Sequence, residues 1–295
     1  MLGESMGPVA DVLLHSLWQG ALVSTVLYFA MRCVPASKPA RRYALALGAL
    51  ACMLAVPVLT WALMSGEVSQ PAAQAELASS TGTASQAGAA LADTQSVPGG
   101  ETQGARWPGP SSGAGRKTDD SGNWRGWVVG IWLVGAGGML LRTAWSVAGA
   151  HRLRLAAQEA ANPELDLFCA RVARMLDIGQ RVVLLVSEQV AGPIVLGILR
   201  PAVIFPAWLV TGLPQEQLYA ILAHELAHVR RYDYLVNMLQ MLVESLLFFN
   251  PAVWWISHRV RVEREACCDA VAARVFHTPA IYAEMLGRVS RKLRD

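Results

Sequence analysis

The sequence predicts an α+β, multi-pass membrane protein in which transmembrane helices carry a small folded domain. Hydrophobic residues make up 54% of the 295 residues, which is too apolar for an ordinary soluble domain of this size. A stretch of about 20 apolar residues spans a bilayer, and the N-terminal half of the chain contains three such stretches. The C-terminal half instead mixes short apolar runs with helical periodicity, as expected of a folded domain.

The three candidate spans define a topology through the charges beside them. The spans cover Val9–Met31, Tyr43–Met64 and Gly126–Ala148. Basic residues crowd the short loop between the first two spans: Arg32, Lys38, Arg41 and Arg42. Because cytoplasmic loops carry an excess of Lys and Arg, this loop is predicted to be cytoplasmic and the N-terminus to lie outside. The domain that follows the third span is then predicted to be cytoplasmic.

A low-complexity segment separates the second span from the third. Residues 66–124 are mostly Ala, Ser, Gly, Thr, Gln and Pro. Such a segment buries too little apolar surface to offset the entropy cost of ordering, so it is predicted to be a disordered extracytoplasmic loop. The chain therefore divides into four parts: two spans joined by a basic cytoplasmic loop (1–65), the disordered loop (66–124), a third span (125–150) and a C-terminal domain (151–295).

The C-terminal domain begins with a predicted helical connector over 149–161. A helix is then predicted to start at Asn162-Pro163-Glu164 and to stop at Gly179. Three apolar runs are predicted to be short strands: Val182–Val186, Pro193–Leu199 and Ala202–Phe205.

The next predicted helix carries the pentapeptide His224-Glu225-Leu226-Ala227-His228. Apolar residues at helical spacing, with Pro214 before them and Arg230 and Arg231 after them, place this motif on a helix. Histidines four residues apart share one helical face, with about 6 Å between their Cβ atoms, so both can bind one zinc ion. A carboxylate between them, that of Glu225, is placed to take a proton from a water that zinc has acidified.

A third protein ligand is expected downstream, because peptidase zinc sites keep the fourth position for water. Glu265 is the candidate, and Asp269, one turn later, would accept the free ring N–H of a ligand histidine. Glu263 is the competing candidate, but it lies about 200° around the helix from Glu265. The alternative interpretation, a solvated charged helix face, is disfavoured by the upstream motif.

The apolar segment from Tyr234 to Ile256 imposes a constraint on the topology. If it crossed the membrane once, Glu265 would lie on the opposite side from His224, and one zinc ion could not join them. Because proline cannot continue a helix, Asn250-Pro251 predicts the turn of a helical hairpin. The hairpin, about 234–262, is predicted to dip into the membrane from the cytoplasm and to return Glu265 to the zinc helix.

Two further assignments concern the substrate. An edge strand beside the zinc helix would pair with the backbone of an extended peptide substrate. Its candidate residues are Ile194, Val195, Leu196, Gly197 and Ile198. An equal alternative is that the same residues form an internal hairpin of the core. A transition-state oxyanion needs a donor besides zinc, for which His258 and Tyr282 are the candidates.

Four other polar residues are assigned structural roles. Glu244, in the apolar outgoing arm of the hairpin, is predicted to face the hairpin interior or the zinc domain and to have a structural partner. Asp233 is predicted to pair with a neighbouring arginine, the alternative being that it supports a histidine. Cys267 and Cys268 are interpreted as small buried residues rather than metal ligands.

These motifs resemble those of one known family. The run from His224-Glu225-Leu226-Ala227-His228 through Asp233, Asn250-Pro251 and Glu265-Ala266-Cys267-Cys268-Asp269 is similar to the BlaR/MecR-type membrane metallopeptidases, the antirepressor family. The resemblance implies a gluzincin-type α+β peptidase domain attached to transmembrane helices in a bacterial-type inner membrane. It also implies a single Zn²⁺ ion held by His224, His228 and Glu265, with Glu225 as the catalytic base.

By the same resemblance, the expected function is regulated proteolysis of a cytoplasmic transcriptional repressor or another regulatory protein, without direct binding of nucleic acid. Two alternatives are a membrane signal transducer without turnover, against which the intact Glu225 argues, and a housekeeping quality-control protease. The best-known family members carry a C-terminal penicillin-binding sensor, for which this sequence, ending at Asp295, has no counterpart. We therefore expect either a fragment or a chain that receives its signal through a sensor partner or a homodimer.

Overall fold

A computed structural model of the chain describes residues 2–66, 123–160 and 162–276. The predicted loop 66–124 lies outside the described residues except at its two ends, and Tyr282 lies outside them as well. The described part is mostly helical with one small sheet. The first three helices in chain order are α1 (Leu2–Cys33), α2 (Pro39–Gly66) and α3 (Asn123–Ala156).

These three helices are long and apolar enough to cross a membrane, judged by length and composition. The qualifying segments are Pro8–Cys33, Pro39–Met64 and Trp124–Ala156, and each predicted span lies inside one of them. Large apolar side chains such as Phe29, Leu63 and Trp145 are exposed on their outer faces. Exposed apolar surface of this extent is typical of helices that contact lipid.

The predicted helical connector over 149–161 is wrong in its second half. Helix α3 continues to Ala156, and strand β1 follows at Gln158–Glu159. The strand pairs antiparallel with Val186 and Leu185. Pairing with a strand that is distant in sequence decides the conformation here, and local helix propensity does not report such a contact.

The sheet has four strands in the order β1-β2-β4-β3. Strands β2 (Val183–Ser187), β3 (Ile194–Leu196) and β4 (Ala202–Pro206) confirm the three predicted strands. Strand β4 is fully buried, runs parallel to β2 and pairs antiparallel with β3. Strand β3 is therefore at an edge, and it ends earlier than predicted because Gly197, with φ of 96°, turns the chain.

Five helices follow the sheet or lie between its strands: α4 (Pro163–Met175), α5 (Ala207–Gly212), α6 (Gln215–Arg230), α7 (Asp233–Leu246) and α8 (Pro251–Val275). The Asn162 side chain accepts a hydrogen bond from the Leu165 backbone N–H at 3.1 Å, which confirms the predicted start of α4. Helix α4 ends before the predicted stop at Gly179, because Asp177 adopts a left-handed conformation. The short helix α5 was not predicted.

Helix α6, which carries His224, Glu225 and His228, is held by a core between it and the sheet. Leu222 and Leu226 on α6 pack in one cluster with Val203 and Phe205 on β4, all essentially inaccessible to solvent. A second cluster joins α1 and α2 to the α7–α8 hairpin, with Leu27, Leu50, Val253 and Ile256 among its members. Helix α6 is thus anchored on the first core, whereas α8 contributes to both, with Ala272 in the first and Ile256 in the second.

The helical hairpin that Asn250-Pro251 predicts is confirmed by α7 and α8. Asn250 caps α8, since its Oδ1 accepts a hydrogen bond from the Ala252 N–H at 3.0 Å. Its Nδ2 also donates to the Ser16 carbonyl oxygen on α1 at 2.8 Å, which ties the hairpin tip to a candidate membrane span. That the hairpin dips into the membrane stays a prediction.

The close approach of α1 to the hairpin tip gives a test of this packing. A Cβ atom added at Gly20 would lie 2.6 Å from Asn250 Nδ2, and Asn250 is fully buried and hydrogen-bonded. We expect Gly20→Ala to lower the free energy of unfolding by about 1–3 kcal/mol through overpacking. Unfolding in a detergent titration measures this. Gly48→Ala is the control, because a Cβ at Gly48 would meet nothing within 4 Å; equal stabilities of the two variants would contradict the packing.

Candidate metal centre

Helices α6 and α8 bring three candidate ligand atoms together. The Nε2 atoms of His224 and His228 lie 3.2 Å apart. Oε2 of Glu265 lies 3.5 Å from the first and 3.6 Å from the second. In a tetrahedral zinc site with bonds of 2.0–2.1 Å, ligand atoms lie about 3.4 Å apart. The three side chains therefore fit one zinc ion, as the spacing of the motifs predicts.

Both histidines have a carboxylate on the opposite ring nitrogen. Asp269 Oδ1 lies 3.0 Å from Nδ1 of His224, and Asp233 Oδ2 lies 2.9 Å from Nδ1 of His228. A carboxylate on Nδ1 favours a proton there and leaves the Nε2 lone pair for a metal. The contact of Asp269 is the one that its position four residues after Glu265 predicts.

Asp233 contacts both of the partners that the sequence left as alternatives. Besides His228, its Oδ2 accepts from Nε of Arg231 at 3.4 Å. Tyr232, between α6 and α7, is left-handed with φ of 55°, and this sharp turn brings the first residue of α7 back beside the zinc helix. On a continuous helix, residues five apart are about 140° apart, so periodicity does not predict this contact.

Glu265 is held at its other oxygen by Arg264, whose Nε lies 3.3 Å from Oε1. The competing candidate, Glu263, is buried and points elsewhere: its Oε1 lies 2.8 Å from Nη2 of Arg42 and 3.2 Å from Nη2 of Arg259. Of these two glutamates on α8, Glu265 lies near the histidines, as the helical geometry predicts.

Glu244 and the two cysteines also take the structural roles predicted for them. Glu244 is buried and accepts hydrogen bonds from Ser257 and from Nη1 of Arg261 at 2.8 Å. Cys267 and Cys268 are buried, and the thiol of Cys268 donates to Oδ2 of Asp233 at 3.3 Å.

Cys268 also lies close to His228 and Asp233, with ligand atoms within 4.8 Å of one another. Burial raises the pKa of the Cys268 thiol, and the nearby Asp233 charge raises it further. Because the thiolate is the metal-binding form of cysteine, a thiol with a raised pKa is better suited to donate a hydrogen bond than to bind a metal.

The chemical environment of Glu225 suits proton transfer. Burial raises the pKa of the Glu225 carboxyl, the charges of His228 and His224 lower it, and Glu265 raises it, with a net increase. A carboxylate with a raised pKa holds a proton more readily than an ordinary glutamate. Such a group can take a proton from water and return it in a later step.

The sequence pattern of the BlaR1 peptidase M56 family matches residues 11–289. The chain belongs to this family. It is 30% identical to the regulatory protein BlaR1 of Bacillus licheniformis over 139 residues, which are 47% of this chain and 23% of BlaR1. It is 24% identical to the methicillin resistance mecR1 proteins of Staphylococcus aureus and Staphylococcus epidermidis over 106 residues. That alignment covers 35% of this chain and 18% of each mecR1 protein.

Membership of a peptidase family accounts for the broad features of this M56 chain. The family resemblance inferred from the motifs is confirmed. Candidate membrane helices and bacterial relatives are consistent with a bacterial membrane protein. The matched stretches span less than a quarter of the relatives, so the activities of those longer proteins do not transfer to this chain as findings.

A cavity of about 440 Å³ lies over the candidate metal centre of the M56 chain. It is bounded by the three β3 residues Ile194, Val195 and Leu196, by α3 at Ser146 and Ala150, and by α7 at Tyr234 and Asn237. Edge strand β3 therefore lies beside Glu225, as the predicted substrate strand should. The other two residues of the predicted substrate strand, Gly197 and Ile198, are not among the described residues that line this cavity, because they come after the end of β3.

Of the two predicted oxyanion donors, Tyr282 is outside the described residues, and His258 does not lie in this cavity. His258 is exposed and is absent from the described residues that line the cavity. It shares the helical face of Glu265 but lies two turns, about 10.5 Å, away along α8. The cavity instead presents the donors Tyr234, Asn237 and Arg264. Sequence reasoning missed these three because their placement depends on how α7 and α8 pack.

The electrostatics of the metal-free M56 site predict a pH dependence of zinc binding. Burial alone would lower the pKa of His224, but hydrogen bonds with Asp269 and Glu265 and the charge of Glu225 raise it to about 10. The contact with His224 lowers the pKa of Glu265 to about 2. At neutral pH both ring nitrogens of His224 are therefore protonated in the metal-free site. Zinc must displace the proton on Nε2 to bind there.

Because a higher pH removes this competing proton, we expect zinc affinity to rise about tenfold per pH unit between about pH 7 and 9. Competition with a zinc chelator at several pH values measures the slope. Calorimetry in buffers of different ionisation enthalpy should show the release of about one proton per zinc ion. An affinity that stays constant over this range would mean that His224 is neutral without metal.

Proposed function

We propose that this chain is a membrane-embedded zinc endopeptidase with a cytoplasmic active site, which cleaves a regulatory protein such as a transcriptional repressor. The spacing of the Nε2 atoms of His224 and His228 and Oε2 of Glu265 carries the proposal, since 3.2–3.6 Å is what tetrahedral zinc requires. When bound, zinc would supply the charge that acidifies the attacking water and polarises the scissile carbonyl.

In this proposal the protein's own residues move the proton. Glu225 takes a proton from the attacking water and returns it to the leaving amine nitrogen, a role supported by its place in the cavity lining beside His224 and His228. His224, His228 and Glu265 hold the zinc ion. Asp269 keeps the His224 ring in the tautomer and orientation that this requires.

Edge strand β3 is the proposed binding surface for the substrate backbone. It pairs with β4 on one side and has no partner strand on the other among the described residues. An extended peptide can add to such an edge through main-chain hydrogen bonds, while side chains occupy the neighbouring cavity. Ile194, Val195 and Leu196 line that cavity with Glu225, which supports a substrate strand laid along β3.

In this proposal the active site is cytoplasmic because of where the positive charges lie beside the candidate membrane helices. Lys38 lies between α1 and α2, Arg32 lies in the last turn of α1, and Arg41 and Arg42 lie at the start of α2. Arg152 and Arg154 lie at the end of α3, on the side of the peptidase domain. Lys and Arg near membrane helices favour the cytoplasmic side. The relatives are a regulatory protein and methicillin resistance proteins, which favours a regulatory substrate over general protein degradation.

Comparison of cleaved proteins in cells that express the wild type or Glu225→Gln tests this function. New N-termini in one regulatory protein, present with the wild type and absent with Glu225→Gln, are the expected result. New N-termini in many damaged proteins would favour the housekeeping alternative. A signalling output that Glu225→Gln retains in full would favour a transducer without turnover.

A further inference from the structure

The carboxylate of Asp233, which contacts His228, is held by three other groups. The Tyr43 hydroxyl donates to Oδ1 at 3.3 Å, while Arg231 and Cys268 donate to Oδ2 at 3.4 and 3.3 Å. Asp233 is only 3% exposed, so these protein groups take the place of water. A buried carboxylate held on both oxygens has a fixed orientation, and here that orientation directs Oδ2 at Nδ1 of His228.

Tyr43 differs from the other two donors because it lies on α2, a candidate membrane span. Its ring is buried, and the guanidinium carbon of Arg231 lies 4.4 Å from the ring centroid. A cation at this distance over an aromatic face is attracted to it. The same tyrosine thus contacts Asp233 through its hydroxyl and Arg231 through its ring.

The neighbouring residue Arg42 fixes this end of α2 relative to α8. Its Nη2 lies 2.8 Å from Oε1 of Glu263, and its Nη1 donates to the carbonyl oxygens of Met31 and Val34 at 3.1 Å each. Glu263 lies two residues before Glu265 on α8. Arg42 and Tyr43 therefore join α2 to α8, which carries Glu265, and to the turn between α6 and α7, which directly follows the helix of His224 and His228.

We propose that Tyr43 is a positioning residue of the zinc centre, acting through Asp233 on His228, so that a membrane helix forms part of the metal site. The inference rests on the proposed zinc site. Without the hydroxyl, Oδ1 of a buried carboxylate loses its donor, and only Arg231 and Cys268, both at Oδ2, still hold the carboxylate against Nδ1 of His228. The imidazole is then less well oriented for zinc. Loss of such outer contacts typically weakens metal affinity by about 10–100-fold.

Zinc affinity of the full-length, metal-stripped protein in detergent tests this role, by competition with a chromophoric chelator. We expect Tyr43→Phe to weaken zinc binding about tenfold, at the lower end of that range because it acts through Asp233. Asp233→Asn should weaken it about 10–100-fold, and the double variant should bind no more weakly than Asp233→Asn alone. Tyr28→Phe is the matched control, since the Tyr28 hydroxyl on α1 contacts Arg32 at an exposed site.

Cobalt(II) provides a second readout that a purely structural role would not change. Its visible absorption reports ligand orientation, so we expect the Tyr43→Phe spectrum to differ from that of the wild type and of Tyr28→Phe. Wild-type zinc affinity and spectrum in Tyr43→Phe, or a loss that adds fully to that of Asp233→Asn, would overturn this inference alone. A wild-type chain that binds no zinc would overturn the proposed function and this inference together.

Discussion

Replacement of Glu225 by Gln is expected to reduce peptide hydrolysis by about 10²–10⁴-fold, the usual contribution of a general acid–base group. Gln has nearly the same shape but cannot take a proton from water at neutral pH. Zinc content should stay the same, because Glu225 is not among the three side chains whose atoms have metal-ligand spacing. Peptidase assays and metal analysis of the purified protein measure the two quantities.

Glu216→Gln is the matched control for this substitution. Glu216 lies on the same helix, in its first turn, and is exposed. We expect it to retain both zinc and activity. If Glu225→Gln retained full activity, another group would have to take the proton, and the proposed role of Glu225 would be wrong.

Replacement of Glu265 by Gln is expected to weaken zinc affinity by at least about 10²-fold, beyond the usual effect of losing an outer contact. The substitution removes the charged ligand oxygen that lies 3.5 and 3.6 Å from the two histidine nitrogens. Activity should decrease with zinc occupancy. The metal-free protein should keep most of its stability, because the Glu265 side chain is 49% exposed.

Glu263→Gln provides the opposite pattern on the same helix. Glu263 is buried and pairs with the partly buried Arg42 and Arg259, so its replacement removes the carboxylate that both guanidinium groups contact and should lower the thermal midpoint. Zinc content per folded chain should be unchanged. Loss of zinc in Glu263→Gln, together with its retention in Glu265→Gln, would reverse the assignment of the third ligand.

The sequence by itself determined those features that depend on local rules. Histidines four apart on a helix share a face in any fold, and so do Glu265 and Asp269. Proline removes a backbone hydrogen bond from a helix interior, which is why Asn250-Pro251 predicted the α7–α8 hairpin. Helix α2 nevertheless continues through Pro57. The length and apolarity of the three long helices are likewise properties of the sequence alone.

Only the tertiary structure decided which groups from other segments surround the candidate ligands. Asp233 reaches His228 because Tyr232 turns left-handed, and Tyr43 reaches Asp233 from a position 190 residues earlier in the chain. Strand β1 formed for the same reason, through pairing with β2. Contacts between segments distant in sequence follow from packing of whole helices and strands. Periodicity and propensity describe one segment at a time, so they predict the candidate ligands and Asp269, which lies one turn from Glu265, but not Asp233 and Tyr43, which reach the site from other segments.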